Sequence, residues 1–96
     1  MNIYKITRHP DDDPEYDSFL GFVCIARTPF EAKRIFPSSE WESYWDEEEK
    51  CWMNALDDKI RKDAWPRDLD ELQVEQVGTA MPGAQRGTVL WSFLAG

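Results

Sequence analysis

The period of the hydrophobic positions changes several times along this chain, and each change marks an element. Asn2 to Thr7 alternates, with Tyr4 and Ile6 on the parity of a core face and Ile3 at the edge. Arg8-His9-Pro10 ends that strand, because proline brings no donor to a ladder. The acidic stretch through Pro14 reads as a loop, since its charge opposes burial and its residue types suit turns. Phe19 to Ala26 is mostly apolar and long enough for a strand, either central against a helix or covered on both faces.

Thr28-Pro29-Phe30-Glu31 is the clearest local signal. Thr28 can accept from a first-turn amide, Pro29 fits the first helical position, and Glu31 can bond back to the cap. Ala32, Ile35 and Phe36 supply an apolar stripe before Pro37 stops a helix of about two turns. Ser38 to Trp45 reads as an aromatic loop. A second helix is expected from Asp46 to about Ala64, with Asp46 and Glu49 as cap and capping partner. Trp52, Leu56 and Ile60 recur at fourfold spacing, and Lys59, Arg61 and Lys62 suit the negative end. Leu69 to Thr79 predicts a third strand carrying Leu72, Val74 and Val77, whose broken alternation marks a bulge or a late start. After turn chemistry at Met81-Pro82-Gly83-Ala84 and Gly87, Thr88 to Leu94 forms the last strand, with Val89, Trp91 and Phe93 on one face and Leu90 on the other. The expected fold class is α+β: a four-stranded, mainly antiparallel sheet with two helices packed on one face, in the order β-β-α-α-β-β.

With 96 residues the chain is read as one domain, 1–96. Its 19 acidic against 11 basic residues give a net charge of -8, which argues against direct contact with nucleic acid or an anionic membrane. No apolar run approaches the roughly 18–20 residues of a membrane span. Met1-Asn2-Ile3-Tyr4-Lys5 lacks the pattern of a signal peptide, so a cytoplasmic location in the host cell is expected. Cys24 sits in an apolar run and Cys51 in the expected first turn of the second helix, and both read as free thiols.

Candidate chemistry is sparse. His9, the single histidine, has no nucleophile or second base beside it, and the serines fall in no triad pattern. Asp11-Asp12-Asp13-Pro14-Glu15 lacks the ligand spread and central glycine of a calcium loop. Glu47, Glu48 and Glu49 would diverge around a helix rather than form a carboxylate pair. The glycines do not form a phosphate loop. Accordingly, no catalytic residue, cofactor or metal is expected, and a small enzyme ranks last among the function classes.

Aromatic content changes the picture. There are five tryptophans; Trp52 and Trp91 follow apolar series and are expected in the core. Trp41, Tyr44 and Trp45 lie among Glu40, Glu42, Asp46, Glu47, Glu48 and Glu49. They read either as a cluster closing over the core or as an anchor with an acidic rim. The second reading makes Trp41, Tyr44, Trp45, Asp46, Glu47, Glu48 and Glu49 the candidate partner-binding residues, directed at a basic surface on a host or phage protein. The pattern also leaves room for a homodimer.

Glu15-Tyr16-Asp17-Ser18 before the Phe19–Ala26 strand, the Thr28-Pro29-Phe30-Glu31-Ala32 cap, Val77-Gly78-Thr79-Ala80-Met81-Pro82-Gly83, and the Gly87-Thr88-Val89-Leu90-Trp91-Ser92-Phe93-Leu94-Ala95-Gly96 ending resemble small uncharacterised bacterial and prophage proteins. The resemblance implies a small α+β domain of phage or mobile-element origin and assigns no activity to any residue. Small acidic phage proteins often look like inhibitors of host defence, some of them DNA mimics by charge. The expected function is therefore inhibition of a host defence or nucleic-acid-processing protein. The alternative is a phage structural or replication accessory role.

Overall fold

A computed structural model describes residues 1–12, 18–38, 42–60 and 64–94, with only the backbone of Phe93 and Leu94. The main sheet is built from β1 (Asn2–Thr7), β2 (Ser18–Ala26), β5 (Gln73–Thr79) and β6 (Gly87–Leu94). Its strand order is β5-β1-β2-β6, antiparallel throughout. A separate hairpin pairs β3 (Tyr44–Asp46) with β4 (Cys51–Met53).

Parity decides which face of the sheet is buried. Tyr4 lies opposite Cys24 and Ile6 opposite Phe22, and all four are buried. Trp91, opposite Phe22 in β6, packs partly buried against this core. The other parity, with Ile3 opposite Ile25 and Lys5 opposite Val23, forms the open face. At Gly21 a Cβ would lie 2.9 Å from the Ile6 carbonyl oxygen, so no larger residue fits without backbone movement.

Three register shifts explain where alternation fails. The shift between Ile3 and Tyr4 leaves Val77 of β5 without an opposite residue, so the broken pattern is both a bulge and a late strand start. The shift between Val23 and Cys24 does the same to Val89 of β6, and with Leu90 on the open face the two stand 54% and 57% exposed. Of the expected Val89–Trp91–Phe93 face, Trp91 packs against the core and Val89 is turned out, while the Phe93 side chain lies outside the described residues. A third shift, between Phe19 and Gly21, displaces Leu20.

The first helix is shorter than its apolar stripe predicts, and the second is not found among the described residues. The first, α1 (Pro29–Ala32), is four residues long, opened by Pro29, and the Thr28 hydroxyl accepts from the Glu31 amide at 3.1 Å. The Glu31 carboxylate pairs with Arg86 across the fold at 2.7 Å. Ile35 and Phe36 are buried as the stripe predicts, but they follow the helix in a tighter turn, with Ile35 N–H bonded to Ala32.

The second helix, expected from Asp46 to about Ala64, is replaced over the described residues 46–60 by the hairpin and loops, and 61–63 lie outside the described residues. Asp46 accepts from the amides of Glu48 and Glu49, as a helix cap would. Lys50 then takes a left-handed φ of 52° and the chain reverses. Cys51, Trp52 and Met53 are all buried in succession, which one face of a helix does not allow. Farther on, Asn54 Oδ1 accepts from the amides of Leu56 and Asp58, a side-chain turn that competes with helix. Leu56, the middle of the expected stripe, is 81% exposed. Ile60 does reach the core, but through its amide bond to the Trp52 carbonyl at 2.8 Å. The two-helix α+β expectation is therefore corrected: among the described residues an antiparallel sheet is covered by a hairpin, one short helix and a 3-10 turn at Leu69–Glu71.

The core is strongly aromatic. Trp45, Trp52, Phe36 and Phe19 form a chain of edge-on contacts with centroids 5.0, 5.4 and 5.3 Å apart. Trp65 meets Phe22 at 5.5 Å on the sheet, under the guanidinium of Arg8. Cys24 and Cys51 are buried free thiols, and burial pushes the Cys24 pKa up to about 12. The fully buried Trp52 should lose about 3–5 kcal/mol on replacement by alanine, and the half-buried Trp91 distinctly less. Chemical denaturation of Trp52→Ala and Trp91→Ala checks the order; equal losses would contradict this packing.

Candidate functional site

The hairpin is the element that carries the aromatic and acidic residues singled out in the sequence. Its two strands are three residues each, too short to stand alone. Trp45 meets Trp52 across the hairpin, and Trp52 packs in turn on Phe36, which meets Phe19 of the sheet. Alternation then sends Tyr44 outward, 43% exposed, while its neighbour Trp45 turns inward and is half-buried.

Tyr44 is fixed in place at its tip. Its hydroxyl donates to Asp57 Oδ1 at 2.6 Å, tying the hairpin to the following loop. This bond, with the negative charges of Asp57 and Asp46 nearby, raises the tyrosine pKa above its ordinary value. The phenol therefore stays protonated and donating.

The acids divide into two kinds. Asp46 is half-buried and spends its carboxylate on the turn amides. Glu47 accepts from Arg34 at 2.6 Å and from Lys50 at 2.9 Å. Those two bonds, Arg34 first, pull its pKa down to about 2. Glu49 pairs more loosely with Lys59 at 3.4 Å. Glu48 is exposed, as are Glu42 and Asp58 nearby in sequence. Of the expected partner-binding residues, the structure thus brings Tyr44, Trp45, Asp46, Glu47, Glu48 and Glu49 onto one hairpin. Trp41 lies outside the described residues. The consecutive glutamates occupy a turn rather than a helix.

Sequence reasoning missed Arg34 as a connector. Its guanidinium lies 3.5 Å over the Phe30 ring, donates to the Phe30 carbonyl at 3.0 Å and bridges to Glu47. A basic residue four after an exposed aromatic is the one sequence signal for it. Between hairpin and sheet runs a cleft of about 420 Å³, bordered by Arg34, Tyr44, Trp45, Glu47, Arg86 and Thr88. Arg34 and Arg86 are each already paired with a carboxylate. Among the described residues no group of three or more His, Cys, Asp or Glu is placed to hold a metal ion. No helix among them is long and apolar enough to cross a membrane.

Comparison with protein-family models, with curated proteins and with solved structures finds no match to this chain.

The Glu47 pairing makes a pH prediction. A carboxyl whose pKa falls on folding stabilises the folded state above its unfolded value, near 4.5, and loses that contribution as pH drops toward 2. Melting temperatures of the parent and Glu47→Gln proteins should converge across this window and differ slightly above it. The difference stays small because the pair is solvent-screened. A gap that persists unchanged at the acid end would refute the assignment.

Proposed function

We propose that this chain is a protein-binding module that docks through the β3–β4 hairpin onto a basic surface of another protein. Following the resemblance, we assign that surface to a host defence or nucleic-acid-processing protein that the chain inhibits. The reading rests on one observation above all: Tyr44 stands exposed on an element outside the main sheet, its hydroxyl held by Asp57. A tyrosine pre-set in this way offers a large contact at little entropic cost. Exposed Glu42, Glu48 and Asp58 supply acidic groups near it in sequence, suited to steering a cationic partner.

Within this proposal the roles of the hairpin residues differ. Tyr44 is the anchor, whereas Trp45 supports it from inside. Glu48 and Asp58 are the steering charges, because Glu47 and Glu49 are engaged with the chain's own cations.

Recovery of a tagged copy from the native host identifies the partner, and titration at two salt concentrations tests the surface. Tyr44→Ala should weaken binding by about 2 kcal/mol or more with the fold intact. Glu48→Gln with Asp58→Asn should slow association and flatten its salt dependence. Unchanged binding by both variants sinks the hairpin as the interface. A partner drawn from virion proteins, with no defence or nucleic-acid-processing component, sinks the inhibitory role.

A further inference from the structure

The two edges of the sheet are not alike. On β5 the edge is interrupted by the bulge at Val77 and carries the charge of Glu75. A bulge and a charge each discourage another strand from pairing, and of the two edges only β5 combines them. On β6 all eight residues, Gly87 to Leu94, lack charge and proline. Among the described residues, no backbone-to-backbone hydrogen bond outside the β2 ladder involves Val89 to Leu94. The bulge at Val89 is the one interruption in this edge.

The open face of the sheet becomes more apolar toward the same edge. One cross-strand row reads Glu75, Lys5, Val23, Leu90 from β5 to β6. Beside β6 lies a shallow groove of about 240 Å³ bordered by Lys5, Thr7, Leu20, Val23, Leu90 and Ser92. The charged part of the row is therefore at the blunted edge, and the apolar part ends at the unblunted one.

We propose that β6 pairs antiparallel with β6 of a second copy of this chain, joining two sheets across a two-fold axis. A row of backbone donors and acceptors selects another strand as its occupant. An uncharged strand has no sign with which to select an oppositely charged partner. It meets its own copy with no like-charge contact, although the chain as a whole carries -8. An antiparallel pair of identical strands is self-complementary, so the contact closes at two subunits. Leu90, at the end of the apolar row, then lies at the seam.

The contact is small. Six residues at about 3.4 Å each give a seam about 20 Å long, and a sheet is about 10 Å thick. That is well below the roughly 800 Å² per partner of a standard interface, so the dimer dissociates on dilution. This proposal does not depend on the hairpin reading, which uses a different element.

Sedimentation equilibrium over a wide concentration range tests it. The parent chain should pass reversibly from monomer to dimer. Leu90→Lys and, separately, Val89→Lys should weaken dimerisation by about tenfold or more, since a lysine on an edge opposes pairing. Both side chains are exposed, so the monomer should keep its circular dichroism and melting temperature. Thr7→Lys, on the open face but in the central strand β1, should leave dimerisation unchanged. A monomer at every concentration, a species larger than a dimer, or undiminished dimerisation of both edge variants would overturn the proposal. Loss of dimerisation in Thr7→Lys would also overturn it, by showing that the sheets stack face to face.

Discussion

The arrangement of this fold depends on the contacts of one side chain, Trp52. Its ring meets Trp45 on one side and Phe36 on another, and its indole N–H donates to the Pro66 carbonyl at 3.0 Å. Its own carbonyl accepts from Ile60. Hairpin, post-helical turn and the segment leading into the last two strands thus converge on a single residue. With little helix to cover the sheet, aromatic edge-on contacts perform the covering, and each ring buries more area than an aliphatic residue could in so short a segment.

Function, on the reading proposed here, follows from the same packing. A hairpin of three-residue strands has too little area to hold a shape alone. Trp45 gives it a root in the core, and β alternation then obliges Tyr44 to face outward. Arg34 braces the turn by joining Glu47 to Phe30. The charges nearest the turn are thereby partly spent on holding it. Acidic composition alone overstates how many of them face a partner unpaired.

The two sheet edges show how register shapes the surface. A bulge at Val77 and another at Val89 each turn an apolar residue outward, yet only β5 also carries a charge. The same local irregularity therefore leaves one edge blunted and the other still able to pair.

Local chemistry was legible where short-range physics decides the outcome. Thr28 and Pro29 start a helix because cap and fixed φ act within one turn. Tyr4 and Ile6 face inward because parity in a strand admits only two choices. The break around Val77 was readable as a bulge for the same reason. From Asp46 to Ala64 the sequence supports two answers. Its Trp52–Leu56–Ile60 spacing and the Asp46 cap suit a helix, while Asn54 and Asp57 suit turns. What decides is the partner of Trp52: Trp45 lies seven positions earlier and meets it only if the chain reverses at Lys50. The Trp52 contacts with Phe36 and Pro66 join residues distant in sequence. Their energy exists only once the sheet is assembled, so tertiary packing turned a helical pattern into a hairpin and brought the acidic residues onto a turn.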